Sequence, residues 1–548
     1  RLQCHLRLAT VAYSKNASLP PAAPFVHLTN MNRSVIFVVI LVLIHNVCAF
    51  NILAIVSMPL RSHYMAFSNL FRELAIRGHS VTVINNFPDK DAVPNLNFVN
   101  IYDSNNVAST MKPLSDYESS DSWYWHLYNY YRHIALCSES MRRDCNNLFN
   151  NENATAHYSQ RIKYDVIFVE QFVGDCGLAY ALAFYDAPII GITSHTLLPW
   201  AYPRLGIPFS AASDAFYFSP AGPNPPLYNK IENYILNLAF NTFGLWYHHK
   251  FIYEVFDKHL PGNSLDVEKE ARQRMKMTFA YQHFSLTGSR LLSPQVLEIA
   301  GLHVDQPKAI EKFLSTAEHG IIYVSFGSNL KASSMTDNKR QQFLNAFKNL
   351  KQKVIWKHEN ASFTAAGVYT DEWMPQLDIL CHPKVLAFVT HGGMLGMSES
   401  AYCGKPMIVV PFFGDQYSNA AAARTVGFGK VLNFDKLNAR TLTDAIQAVL
   451  TMQENAKMIS KLWRDQPLSV MDSAIYWTEY VARHAVSPPP LSSQHSTWFA
   501  AYFIDVAIVI LVFLLFLIWT LKIITKLLQT LFLIRNFTRN DSNKPKSE

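Results

Sequence analysis

The chain has 548 residues, 49% hydrophobic and 16% charged, with 48 Lys and Arg against 41 Asp and Glu. That composition excludes an intrinsically disordered chain, and the length exceeds what one core fills, so about two to four domains are expected. The net charge of +7 sits at the ends: residues 1–33 hold four bases and no acid, and residues 522–548 hold six bases and two acids, leaving the body near neutral. A neutral body with basic ends argues against a nucleic-acid partner and points to membrane topology.

Residues 35–44 form an apolar run, with Arg33 before it and Val47-Cys48-Ala49 after it. This is a signal-peptide layout over 31–49, and its apolar part is too short to span a bilayer. Met31 then reads as the start, and residues 1–30 as a non-native upstream extension. The next apolar run, 52–56, has strand length. Residues 63–77 show helical spacing, with Phe67, Leu70, Phe71 and Leu74 on one side and Gly78 placed to end the helix. With the β-branched run 81–84 this makes a β-α-β unit, the building block of a parallel sheet covered by helices. A helix is expected over 123–131, strands over 166–169 and 189–192, and a helix between them over 178–184. Residues 195–285 are richer in proline and aromatics. Trp200, Tyr202, Phe209, Trp246 and the run Phe216-Tyr217-Phe218 suit an apolar pocket wall. Periodicity lapses over 288–308, which reads as an interdomain linker.

Alternation restarts with strands at 321–325, 353–357, 385–389 and 407–410 and helices at 337–350, 395–403 and 417–426. The expected fold is α/β: two doubly wound, Rossmann-like domains, 50–290 and 300–470, facing each other across a cleft. A further amphipathic helix at 472–484 belongs to a returning segment, 471–497, that runs into Pro488-Pro489-Pro490. Residues 498–521 carry one charge, Asp505, and have Trp498, Tyr502 and Trp519 near their ends, as a C-terminal transmembrane helix does. The bases beyond mark 522–548 as a cytosolic tail and put the body on the lumenal side. Lys544 and Lys546 resemble the dilysine retrieval signal of endoplasmic-reticulum membrane proteins. On the lumenal side, Asn153 and Asn360 open glycosylation sequons. Cys137, Cys145, Cys176, Cys381 and Cys403 are an odd and sparse set, not expected to form a disulfide framework. No His/Cys cluster has zinc spacing.

The stretch 373–419 carries the most chemistry. At His391-Gly392-Gly393 a strand turns into a helix, and the glycines let a ligand approach the backbone. Free N–H groups at that helix start, with its dipole, attract a diphosphate, and His391 can donate to a phosphate oxygen. Glu399 suits a ribose diol. Trp373 offers a face for a base, and Gln376 offers a donor and an acceptor for a base edge. Asp415, Gln416 and Asn419 can hold sugar hydroxyls.

In that order, Trp373, Gln376, His391-Gly392-Gly393, Glu399, Pro411 and Asp415-Gln416 resemble the signature of the membrane-anchored UDP-glycosyltransferases, a family of GT-B fold. The likeness extends to Ser62-His63, Arg77-Gly78-His79, Phe326-Gly327-Ser328 and the anchor with its basic tail. Vertebrate members usually have Thr-Asn after the paired glycines; Met394 and Leu395 stand here, which resembles invertebrate members. The resemblance implies UDP-sugar in the second domain: Trp373 and Gln376 on uracil, Glu399 on ribose, His391 and the loop of Gly327 and Ser328 on the diphosphate, Asp415 and Gln416 on the sugar. It implies a small lipophilic acceptor in the first domain, with His63 as the catalytic base. A helix N-terminus there disfavours imidazolium and keeps the base neutral. The family pairs this histidine with an Asp; Glu170 stands at the matching place and Asp175 five residues on, and both stay open as the partner.

The implied reaction is one displacement at the anomeric carbon with inversion, without cofactor or metal. Asp89-Lys90-Asp91 spells a metal motif of another glycosyltransferase fold but lies far from the donor residues. Glucose is the expected sugar, with glucuronate the alternative; a catalytically impaired UDP-binding relative is a further one, and a homo-oligomer stays open. A nicotinamide oxidoreductase is disfavoured, because no G-x-G-x-x-G opens either domain.

Overall fold

A computed structural model describes residues 49–541 apart from 111, 119–124, 173, 199, 212, 216–218, 220–221, 223–224, 263, 309–316, 361–362, 364 and 485–503. The expectations on 1–48, 216–218, 488–490, 498–503 and 542–548 lie outside the described residues.

The first body holds β1 (Asn51–Val56), β2 (Ser80–Asn85), β3 (Leu96–Asn100), the short β4 (Lys112–Pro113), β5 (Val166–Glu170), β6 (Ile189–Thr193), β7 (Met275–Ala280) and β8 (Val296–Glu298). Seven of these form one parallel sheet in the order β3-β2-β1-β5-β6-β7-β8. The central strands are near-continuous apolar runs because helices cover both faces, so inner and outer positions are equally buried. The helix Arg61–Ile76 turns Phe67, Leu70, Phe71 and Leu74 inward, and Gly78, at φ 95°, lets the chain leave for β2.

The second body repeats the plan with β9 (Ile321–Ser325), β10 (Leu330–Lys331), β11 (Lys353–Lys357), β12 (Val368–Asp371), β13 (Val385–Thr390), β14 (Met407–Val409) and β15 (Gly429–Val431). Its sheet is parallel in the order β12-β11-β9-β13-β14-β15. In both sheets the direction of strand addition reverses once, between β1 and β5 and between β9 and β13. Such switch points open a crevice beyond the carboxyl ends of the strands. β4 pairs with β10, so a short ladder crosses from one body to the other.

Several expectations are corrected. The stretch read as a linker supplies β8, so the first body extends past residue 290. The helix expected over 123–131 spans Trp125–Asn150. β3, β7, β8, β12 and β15, and the two-residue β4 and β10, were not foreseen; β3, β8, β12 and β15 are edge strands and β7 lies next to one, with little alternation to read. Two disulfides form where no framework was expected: Cys145–Cys176, with Cα atoms 5.1 Å apart, and Cys381–Cys403, 4.7 Å apart. Each joins a helix to the residue that opens or follows a neighbouring helix, a proximity that spacing along one helix cannot reveal. The last amphipathic helix, Val470–Arg483, returns to the first body, where Asp472 binds Arg77 at 2.8 Å and Glu479 meets His79 at 3.3 Å. The apolar helix Ile504–Asp541 does not stop at 521: a candidate membrane-spanning stretch, Ile504–Asn536, lies within it, and its most apolar part is not buried within the protein. Leu527, Leu528, Leu531 and Phe532 keep it apolar beyond Lys522 and Lys526, so much of the expected tail is helix.

Candidate active site

His63 lies in the first turn of the helix that follows β1, and Glu170 is the last residue of the adjacent β5. The first switch point therefore brings them together although 107 positions separate them, and His63 Nδ1 and Glu170 Oε1 share a buried hydrogen bond. Phe172 packs edge-on to the His63 ring at 4.5 Å, and His195 lies 5.8 Å away. Burial pushes the His195 imidazole down to about 3, with the His63 charge acting in the same direction, so His195 is neutral.

Asp175, the other candidate partner, is turned elsewhere. Arg204 donates to both its oxygens, at 2.8 and 2.5 Å, and His249 approaches at 3.3 Å. Burial opposes its charge, yet Arg204 and His249 hold its carboxyl below the usual range. Asp175, His249 and Glu268 cluster as metal ligands do, but the buried Arg204 guanidinium already joins both carboxylates, so the group is an internal ion network. Asp89 of the Asp89-Lys90-Asp91 run pairs with Arg72 at 2.8 Å.

At the second switch point, the turn after β13 places His391 against the loop after β9. A Cβ on Gly327 would lie 2.6 Å from His391 Cε1, and one on Gly393 would lie 2.5 Å from Nε2. The imidazole fits because both neighbours lack side chains. Burial and then the charge of Lys357 push it down to about 4, leaving a neutral ring. The helix Met394–Tyr402 starts at Gly393 with no side-chain cap, so its first N–H groups face the crevice. In the loop after β9, Ser328 Oγ donates to Oδ1 of the next residue, Asn329, at 3.2 Å.

Glu399 is 9% exposed, and both its oxygens are engaged: Gln376 Nε2 donates to one, and His303 Nε2 lies 3.3 Å from the other. Tyr323 OH donates to Gln376 Oε1 at 3.4 Å, and Tyr281 OH meets His303 Nδ1. Residues assigned separate tasks from sequence thus form one chain of hydrogen bonds. His303 was missed because it stands in a stretch without periodicity. Trp373 is 51% exposed, and Arg61 of the first body covers one ring face at 4.8 Å.

Asp415 accepts from Asn419 Nδ2 at 2.7 Å, and the same amide donates to Gly392 O at 3.0 Å. Gln416 Oε1 accepts from the backbone of Phe412 and Phe413, shaping the loop that carries Asp415. Burial pushes the Asp415 carboxyl up to about 6, tempered by Asn419 and by His63 across the gap.

One cleft of about 540 Å³ is lined by His63 and His391 together, with Ser328, Trp373, Gln376, Glu399, Asp415 and Gln416. Gly392 and Asn419 support it from behind, and Glu170 stands behind His63. Its apolar wall on the first body comes from Met58, Leu60 and Phe172. The aromatics expected there are elsewhere: Trp200, Tyr202 and Phe209 are core residues and Trp246 is 69% exposed. Both sequon residues, Asn153 and Asn360, are exposed at the surface.

The family model described as "UDP-glucoronosyl and UDP-glucosyl transferase" matches residues 52–541. The UDP-glycosyltransferase UGT5 of Dactylopius coccus is 30% identical over 486 residues, 85% of this chain and 90% of that protein. The human UDP-glucuronosyltransferase 2A3 is 27% identical over 485 residues, 81% of this chain and 87% of its own length. Among solved structures, the glycotransferase of kitacinnamycin aligns with a TM-score of 0.54 at 18% identity, over 79% of this chain and 99% of that one. A UDP-glucosyltransferase from Polygonum tinctorium aligns with a TM-score of 0.51 at 14% identity, over 80% of this chain and 100% of that one. At such identities these structures speak for the fold, which is GT-B. A family match across both bodies, on a chain whose two switch points open on a single cleft, makes this glycosyltransferase a member of the UDP-glucuronosyl and UDP-glucosyl transferases.

Proposed function

We propose that the protein transfers glucose from UDP-glucose, with inversion, to a hydroxyl of a small lipophilic acceptor. The observation that carries this reading is the shared cleft: a histidine backed by a buried carboxylate on one wall, and the donor residues on the other. His63 Nε2 removes the acceptor proton while Glu170 orients the ring through Nδ1 and stabilises the imidazolium that forms. The acceptor oxygen forms its bond to the anomeric carbon as the bond from that carbon to the diphosphate oxygen breaks. Backside attack in one step inverts the centre. The departing UDP gathers charge, which the neutral His391 and the N–H groups from Gly393 onward meet by hydrogen bonding. Glu170 replaces the Asp of the family pattern, and its longer side chain reaches from the end of β5. UDP-sugar is a co-substrate in this scheme, and no cofactor or metal takes part.

Met58, Leu60 and Phe172 favour a lipophilic acceptor. Glucose is favoured by the invertebrate-like Met394-Leu395 and by the likeness to UDP-glucosyltransferase 2 of Dactylopius coccus, 30% identical over 445 residues. Glucuronate is the second reading, favoured by the human relatives. The apolar helix Ile504–Asn536 would anchor the chain once in the endoplasmic-reticulum membrane with the body lumenal. Incubating the membrane-embedded protein with several UDP-sugars and one phenol, then reading product masses, tests the sugar. His63→Ala should abolish turnover while UDP binding persists; turnover that survives would remove His63 as the base.

A further inference from the structure

The helices Gln376–Cys381 and Met394–Tyr402 carry the two residues that meet at one end of the cleft, Gln376 and Glu399. The same helices are tied again further along. Cys381, the last residue of the first, is bonded to Cys403, the residue after the second. Gln376 stands five positions before Cys381, and Glu399 four before Cys403. The helices therefore run side by side in the same direction, with a tie at each end of the shorter one. The backbone N–H of Cys403 donates to Glu399 O at 3.0 Å, so a single turn links the disulfide to the carboxylate. Along the helix axes the bond lies about 6–8 Å from the Gln376–Glu399 pair. The chain between the cysteines is β13, the His391-Gly392-Gly393 turn and the helix of Glu399, so the bond closes a ring around the whole turn.

The shorter helix needs the tie. It has six residues, less than two turns, and a helix of that length is not stable by itself. Its N-cap, Pro375, supplies no side-chain hydrogen bond. Ile379 and Leu380 are buried and seat it on the body. Apolar burial is non-directional, however, and recognition of a ligand edge needs side chains placed within roughly 0.5 Å. A covalent bond between the two helices supplies that fixed spacing. We propose that the Cys381–Cys403 disulfide is a positioning element of the donor site, holding Gln376 and Glu399 in register for the base and ribose of a UDP-sugar. The proposal rests on the reading of this cleft as a UDP-sugar site. Both cysteines are partly exposed, whereas Cys145 and Cys176 are fully buried, so a reductant reaches the 381–403 bond first in the folded protein. Donor affinity then follows the thiol balance around the body, and an oxidising compartment keeps it high.

Calorimetric titration with UDP and steady-state kinetics with varied UDP-sugar test this on the full-length chain. Peptide mapping after alkylation should recover the peptides of 381 and 403 joined; free thiols at both overturn the proposal. Cys381→Ser, Cys403→Ser and the double variant should each weaken UDP binding and raise KM for UDP-sugar roughly tenfold, while kcat and the acceptor KM stay within about twofold. The three effects should be equal, because each variant breaks the same bond. A phosphine reductant, which converts the bond to two thiols, should have the same effect on the unaltered protein and add nothing in the variants, and this arm needs no substituted chain to fold. Cys145→Ser combined with Cys176→Ser should lower Tm and leave UDP affinity unchanged; an equal loss of affinity there would report general loosening and overturn the proposal. UDP affinity that survives all three variants and the reductant overturns it, as does a loss seen only in Tm or kcat. Effects that add between the single variants overturn it too, because the two side chains would then act separately. Should the unaltered protein fail to bind UDP, the reading of the cleft falls first and the proposal with it.

Discussion

His303 and Glu399 are hydrogen-bond partners, their Nε2 and Oε1 atoms 3.3 Å apart, although one leaves the first body and the other sits on the second-body helix Met394–Tyr402. Tyr281 fixes the other ring nitrogen, so the orientation of the carboxylate read as the ribose acceptor depends on a residue of the connecting segment. His303→Ala should raise KM for UDP-sugar about tenfold with little change in kcat, and His303→Gln should recover part of the loss. Steady-state kinetics with varied UDP-sugar separate this from a general loss of fold, which would lower kcat per mole of protein instead.

The two carboxylates near His63 have different surroundings and should fail differently. Glu170→Gln keeps the shape but withdraws the charge behind the imidazole, and kcat should drop about 10²- to 10⁴-fold while thermal stability holds. Asp175→Asn leaves Arg204 incompletely paired in the core and should cost roughly 3–5 kcal/mol of stability. Denaturant titration alongside turnover distinguishes the two; a catalytic loss confined to Asp175→Asn would reverse the assignment.

Gly327 has φ 81°, and a methyl group there would strike His391. Gly327→Ala is strained on both counts and should weaken UDP binding at least tenfold by displacing the ring. Calorimetric titration with UDP measures it directly.

Asp144 is buried and accepts from Ser57 at 2.9 Å. Burial pushes its carboxyl from the ordinary 3.8 up to about 7, against that hydrogen bond and with the help of the Glu170 charge. The folded chain then keeps a proton that the unfolded chain loses above about pH 4. Stability contributed by this group is present below the unfolded value and is lost as pH rises to about 7. The fall in Tm between pH 5 and pH 8 should therefore be smaller in Asp144→Asn than in the unaltered protein. Equal falls would show that Asp144 carries no such proton.

Much of this was legible in one dimension. The alternation of apolar runs with 3.6-period segments is forced by a parallel sheet buried on both faces, and residues 373–419 carry the donor chemistry at short range because one strand, one turn and one helix present it. The edge strands were not legible, since a few residues at a sheet margin have no periodicity to show.

Sequence by itself determined the α/β class, the two-body plan, the histidine at the first strand's exit and the paired glycines around His391. Only the tertiary structure decided which acid stands behind His63, because Glu170 and Asp175 are close neighbours in the chain and the choice turns on a distant residue, Arg204, claiming one of them. It likewise decided which cysteines pair, that a histidine from the aperiodic stretch holds Glu399, and which aromatics face outward. Those outcomes depend on contacts between segments far apart in the chain, and local pattern records the period of a helix or strand but not the neighbour against which it packs.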